Sequence, residues 1–482
     1  MTTLDQPRVA GPDQPAVRRR HIPVWVAIVA ASLPMFMATL DNLVMTSALP
    51  VIQVDLGSSV GQLSWFMNAY TLTFATFMLP AATLGDRLGR RRMMLAGVTV
   101  FTLASIASAL STSSEALIAA RAVQGLGAAA IMPLSLTLLA AAVPPAMRAA
   151  AIGIWGGVSG LGVALGPVIG GAVVEGVSWQ AIFWLNVPVA VVAVPLLLVA
   201  IPESRGVWQK LDPFGVLLLG GAVFLGIWGI VHGNDDGWSD PRVLVPLVLS
   251  AALLPAYVLW ARGRAHAVLP LRLFSARKFT VANIIFLMFT LGMFGTVFLL
   301  AQYLQVVQGY TPLQAGVATM PWTIAPMVVA PLAGLIAPRV GTRLLIVAGL
   351  GFEAIAMAWL GLTMSAATPY LEMLPAFILA GIGMGLVFAP LSTAVLATMK
   401  HDDHAKASGT NATLREVGVA LGIAVLTAVF VGAGGSLTPT GYVDAAIPAV
   451  LVGAGALALA TLLAIALPAG RAAANADAAP SI

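Results

Sequence analysis

Five ionisable side chains fall inside long apolar runs of this 482-residue chain: Asp41, Arg121, Glu353, Arg415 and Glu416. A charge at bilayer depth costs roughly 2.5–3.5 kcal/mol even on lenient insertion scales, so it needs a partner and a purpose. Burial favours a neutral carboxyl, while a nearby guanidinium favours the charged one. A carboxylate that alternately meets and leaves an arginine therefore releases and takes up a proton. Asp41 and Arg121 suit that chemistry. Asp41 lies eight residues before Leu49 on a segment read as running outward, about 12 Å below its outer end. Arg121 lies six residues after Glu115 on a segment read as running inward, about 9 Å deep. The two depths agree within the uncertainty of segment ends. The alternative is a static ion pair that stabilises the bundle.

Arg415 and Glu416 form a second charged locus, with Asn411 one turn earlier on the face of Arg415. Adjacent helical residues point about 100° apart and need not pair. Glu416 is either a second proton site or the neutralising neighbour of Arg415. Glu353 sits mid-segment, protonated or paired within the protein. Other chemistries find little support. The chain has no cysteine, which excludes disulfides, thiolate metal sites and cysteine nucleophiles. Its histidines, His21, His232, His266, His401 and His404, occupy loops or segment ends, so no metal site is expected. There is no Walker A lysine motif and no Ser/His/Asp arrangement. The expectation is a protein that is not an enzyme, holds no cofactor, and does not draw its energy from ATP.

Apolar segments must position these residues. The chain is 59% hydrophobic and 9% charged, against about 25% charged in soluble domains. A span needs about 20 apolar residues, and fourteen segments qualify: 24–49, 60–84, 93–112, 115–141, 149–174, 180–201, 213–232, 242–261, 279–303, 314–337, 343–364, 371–397, 407–431 and 446–467. Lipid leaves backbone groups no outside partners, so these segments are predicted to be helices. Of 24 lysines and arginines, all but Arg121, Arg242 and Arg415 fall on one side of the spans. Basic loops stay in the cytoplasm, which places both termini there. The first apolar run is too long for a signal peptide and lacks a cleavage site. The net charge of +5 implies orientation and contact with anionic lipid, with no nucleic acid partner.

The chain also repeats itself. LGDRLGRR (84–91) is echoed by IAPRVGTR (336–343), PLS (133–135) by PLS (390–392), and GVALG (162–166) by GVALG (418–422). The order is the same and the offset nearly constant, as two related six-helix halves require. Spans seven and eight have no counterpart. The predicted organisation is a tail (1–23), a six-helix bundle (24–202), an inserted hairpin with its loops (203–278), a second six-helix bundle (279–467) and a tail (468–482).

On these residues the chain resembles the major facilitator superfamily, and within it the fourteen-helix drug:proton antiporters. ATLGDRLGRR (82–91) is similar to the family's motif A, with Ala82 in place of the usual Gly. LIAARAVQGLGAA (117–129) matches motif B, and GVALGPVIGG (162–171) matches motif C, which the family's exporters share. LDNLVMTSALP (40–50) resembles the first-helix motif, departing at Leu43, Thr46 and Ser47. Glu416 departs too, since Gln often follows arginine there. The resemblance implies an all-α membrane protein of the major facilitator fold. It also implies a bacterial plasma-membrane exporter that exchanges protons for a small lipophilic, often cationic compound, either many drugs or one antibiotic or metabolite. A monomer is expected.

The motifs then acquire expected roles. Asp86, Arg87, Gly89, Arg90 and Arg91 form a cytoplasmic gate that latches the halves when the pathway faces outward, or else a cluster that only fixes topology. Gly162, Gly166, Gly170 and Gly171, with Pro167, make a hinge or a leak-tight contact, or else simple small-residue packing. The second GVALG lacks the proline, so the two helices are not expected to be mechanically equivalent. Asn42, Trp65, Tyr70, Phe74, Gln124, Trp155, Gln302, Trp322 and Asn411 are candidates for the substrate cavity, the aromatic ones through cation–π contact.

Overall fold

The computed structural model describes residues 23–467, apart from 145, 146, 207, 209, 235, 265, 397, 398 and 400–403. The two tails, His21, His401, Asp402, Asp403 and Arg471 therefore lie outside the described residues. The described chain is entirely helical. The helices are α1 (Val24–Leu56), α2 (Val60–Leu88), α3 (Arg90–Ala109), α4 (Ser114–Ala142), α5 (Arg148–Gly176), α6 (Ala181–Trp184), α7 (Asn186–Ala200), α8 (Pro213–His232), α9 (Pro241–Ala261), α10 (Arg277–Gln302), α11 (Pro312–Ala318), α12 (Met320–Val340), α13 (Thr342–Thr363), α14 (Tyr370–Leu396), α15 (His404–Gly432) and α16 (Pro439–Ile465).

These sixteen helices build fourteen rods. Span six is α6 and α7, broken at Leu185, and span ten is α11 and α12, broken at Thr319. Several rods overrun the apolar segments that announce them. α1 continues to Leu56, seven residues past the expected end, before Gly57 stops it at φ +63°. α10 runs on into a wide turn at Tyr303–Val307. Thirteen rods are long and apolar enough to cross a membrane. α2 has 29 residues but is more polar, and it packs centrally against α4 and α15.

Local sequence sets the ends. Ser59 with Gln62, and Thr311 with Gln314, form reciprocal capping boxes for α2 and α11. Asp212 and Asp240 cap α8 and α9, each followed by proline at the first helical position. The repeated motif-A turn also has a backbone reason. Gly89 between α2 and α3 has φ +117°, and Gly341 between α12 and α13 has φ +86°. Both turns need a conformation that a side chain disfavours.

The repeat reappears in the packing. α1 packs on α5 and α7, α2 on α4, and α3 on α4 and α7. Equivalently, α10 packs on α15 and α16, α12 on α14, and α13 on α14 and α16. The two groups meet where α2 touches α15 and where α5 touches α11 and α12. α8 and α9 pair with each other, and α8 alone reaches both groups, through α2 and α15. The outward face of α9, with Leu244, Val248, Leu249 and Leu259, is apolar and exposed, as lipid contact requires.

Candidate functional site

Asp41 and Arg121 meet. Arg121 Nη1 lies 2.5 Å from Asp41 Oδ2, and both side chains are fully buried. The carboxylate is then saturated. Gln124 Nε2 donates to Asp41 Oδ1 at 2.8 Å, and Asn186 Nδ2 donates to the same oxygen at 2.7 Å. Arg121 Nη1 also donates to Gln124 Oε1, and Nε donates to the carbonyl of Phe66. The guanidinium carbon sits 4.4 Å from the centre of the Tyr70 ring. Arg121 Nη2 has no hydrogen-bond partner among the described residues. Four helices converge here: α1 brings Asp41, α2 Tyr70, α4 Arg121 and Gln124, and α7 Asn186. Asn186 and its neighbour Ser105, linked at 2.8 Å, were not anticipated. The available signal was an amide at bilayer depth beside a proline, at Asn186–Val187–Pro188.

A cavity of about 630 Å³ lies beside this network, between the two helix groups. Tyr70 joins the two, because it covers Arg121 and also lines the cavity. Asn42 and Phe74 line it as well. So do Arg415 and Glu416, which pair with each other despite their helical divergence. Their long side chains bend together, placing Arg415 Nη2 2.9 Å and Nε 3.2 Å from Glu416 Oε1.

Other cavity candidates are placed elsewhere. Trp65 is turned away and packs on Phe224 and Trp228 of α8. Trp155 is tied to Ser135 of α4 through its indole N–H. Gln302 is buried and donates to the carbonyl of Phe298. Asn411 donates to Asn283 of α10. Gln124 belongs to the Asp41 network, and Trp322 lines a smaller neighbouring cavity with Ser47 and Gln305. Glu353 is fully buried, and neither of its oxygens has a partner among the described residues.

The motif-A residues bind within their own group and to the loop that follows it. Arg90 Nε pairs with Asp86 at 2.7 Å. Arg91 donates to the carbonyls of Leu198 and Ile201, at the end of α7, as a helix C-terminus favours. Gly89 packs on the carboxylate of Glu203, which accepts the backbone N–H groups of Arg91 and Arg92. Arg87 lies 4.2 Å over the Trp208 ring.

Motif C divides its glycines between two partners. Gly162, Gly166 and Gly170 face α1, against Thr39, Leu43 and Val44. Gly171 faces the other way, against the backbone of Pro312 and Leu313 at α11, and Gly316 of α11 returns the contact against Pro167. Ser47 stitches the region together. Its hydroxyl donates to the Pro167 carbonyl at 2.9 Å, and its own carbonyl accepts Gln305 Nε2 at 3.1 Å. Leu313 N–H donates to Glu175, and the Thr323 hydroxyl to the Ala164 carbonyl. All of these bonds but Ser47–Pro167 join the two groups, at the end away from the basic loops. The second GVALG seats on α10 in the same way, with Gly418 against Leu287 and Thr290, and Gly422 against Leu291.

Comparison with known proteins places these features in context. The family model for the Major Facilitator Superfamily matches residues 31–423. The chain is 32% identical over 428 residues to the tetracenomycin C resistance and export protein of Streptomyces glaucescens, covering 88% of this chain and 79% of that one. It is 34% identical over 438 residues to the methylenomycin A resistance protein of Streptomyces coelicolor, covering 88% and 90%. Some other similar proteins carry names that record multidrug resistance. Among solved structures, the peptide transporter POT in complex with sulfate superposes with a TM-score of 0.68 at 16% identity, over 92% of this chain and 94% of that one.

Proposed function

Starting from a chain that belongs to the major facilitator superfamily, a transporter and not an enzyme, and a multi-pass bacterial membrane protein, we propose a proton-driven exporter of one lipophilic antibiotic or metabolite. Similar proteins named for single compounds favour this narrow reading over broad multidrug efflux. The observation that carries it is the fully buried Asp41–Arg121 pair set directly behind the wall of a 630 Å³ cavity.

The mechanism follows from the charges. With the basic loops in the cytoplasm, the Ser47–Gln305 and Glu175–Leu313 bonds and the packing of Gly171 on α11 close the outer end, and the cavity serves the cytoplasmic side. The two groups, 24–202 and 279–467, rock about it, with residues 203–278 as an inserted hairpin. In this state three side chains donate to Asp41. When rocking opens the outer end and separates Asp41 from Arg121, the carboxylate accepts a proton from outside. Closing again restores the pair and releases that proton inward. Arg415 and Glu416 form a second exchange site on the cavity wall. When the cytoplasmic side closes, Asp86 and Arg90 latch one group to the other.

The experiment is reconstitution into vesicles with an imposed acidity difference. Substrate should move against its gradient only when the compartment it enters is the more acidic, and Asp41→Asn should abolish that dependence. Cargo movement indifferent to the acidity difference would refute proton coupling.

A further inference from the structure

α5 presents four glycines, Gly153, Gly156, Gly157 and Gly160, to the central cavity. The motif-C glycines further along the helix each meet a close neighbour. These four do not: a Cβ on any of them would find nothing within 4 Å. Glycine in a helix interior costs about 1 kcal/mol relative to alanine, so packing in this state supplies no reason for four of them. They leave a stretch of wall made of bare helix backbone. Met327 and Pro331 of α12 and Phe388 of α14 supply bulk elsewhere around the cavity. Its volume falls within the usual range for a small-molecule site, about 300–1,000 Å³.

The polar lining is equally particular. The described ionised groups on the wall are Arg415 and Glu416. The Glu416 side chain is 9% exposed and Arg415 30% exposed, so the guanidinium is the more available of the two. Glu416 Oε1 is already engaged by two N–H groups of Arg415. The cavity thus offers guanidinium donors at one edge, and the one carboxylate among its described lining residues is already charge-paired with that guanidinium.

We infer that the glycine wall of α5 and the Arg415 edge together select flat, fused-ring substrates whose rim carries oxygen acceptors and is neutral or weakly acidic. This deepens the exporter reading, and it rests on that reading for the identification of the cavity as the substrate site. A flat ring system can lie against bare backbone, where a side chain would hold it off. Its oxygens then face the guanidinium, which donates in a planar fork.

Equilibrium binding to the purified protein tests the inference with three probes: alizarin (planar, oxygen-rimmed, acidic), ethidium (planar, cationic) and tetraphenylphosphonium (propeller-shaped, cationic). Alizarin should bind at least tenfold more tightly than either cation. Gly157→Val should weaken alizarin at least tenfold, and Gly157→Ala should weaken it less. Both variants should unfold at or above the wild-type temperature, since the added atoms meet open space. Arg415→Gln should also weaken alizarin, whereas ethidium, with Glu416 released from its guanidinium, should bind more tightly. Equal binding of all three probes, binding of none, or an alizarin affinity untouched by Gly157→Val would overturn the inference. Because binding needs no gradient, the outcomes separate. Alizarin bound as expected but not moved by an acidity difference would refute the exporter reading and leave the site chemistry standing.

Discussion

At Asp41 one carboxylate is served by three side chains from two other helices. Removing one member of a buried ion pair typically costs about 3–5 kcal/mol, because the other charge is left uncompensated. In the proposed mechanism the same pair also gives a proton a place to bind, so stability and coupling would share their atoms. Asn186 separates the two. It carries no charge, yet it supplies one of the two donors to Asp41 Oδ1. Leaving a buried acceptor with one donor fewer costs about 1–3 kcal/mol. Asn186→Ala should therefore lower the unfolding temperature modestly and weaken substrate-induced proton release from the purified protein. A folded variant whose proton release equals that of wild type would remove Asn186 from the coupling site.

At the level of elements, glycine does two different jobs along α5. Near its outer end it lets helices approach. A Cβ on Gly166 would stand 2.6 Å from Leu43 Cβ, so even alanine forces α1 to move. Nearer the basic end, Gly153 faces open space. Gly166→Leu should lower the unfolding temperature and abolish transport, whereas Gly153→Ala should leave the temperature unchanged or raise it. Thermal unfolding of the two variants side by side decides the matter, and equal destabilisation would mean that the close packing of α5 on α1 has been misread. The GVALG repeat becomes intelligible on these terms. Both copies bring the fifth helix of a group against its first, α5 on α1 and α15 on α10. Proline was expected to make the two helices differ. The structure adds that Pro167 lies where α5 touches the opposite group, through Gly316 of α11, while its carbonyl is held within its own group by Ser47 of α1.

Across the whole molecule, the closed end combines polar ties with an apolar cluster that runs through both groups, from Leu49 and Val174 to Ala315 and Trp322. Ser47 and Gln305 lie on opposite groups and are joined at 3.1 Å. The chain has no cysteine, so Ser47→Cys with Gln305→Cys gives a clean pair of thiols. Joining them with a short bifunctional maleimide should stop transport, while each single variant treated alike should continue. Uninterrupted transport by the joined protein would show that this end does not open. The inserted hairpin adds a tie across the same interface. Trp65 of α2 packs on α8, while the Asn234 side-chain amide, just beyond α8, donates to the carbonyl of Ala428 in α15.

Much of this was legible without coordinates. Lipid imposes a length of about 20 apolar residues, so the spans could be counted. The repeat could be read because both halves reuse the same turn and the same glycine spacing, and glycine at Gly89 and Gly341 answers a local backbone demand. The pairing of Asp41 with Arg121 followed from depth alone, because rise per residue is a property of the helix. Rotation about the helix axis is not. It is decided by what each face meets, often from far along the chain: Asn186 reaches Asp41 across 145 residues, and Trp65 turns toward α8 because Phe224 and Trp228 are there. Depth belongs to the segment and was written in it, while direction belongs to the packed bundle. Which aromatic or amide faces the cavity, and which glycines are left with nothing against them, was therefore settled only when the helices came together.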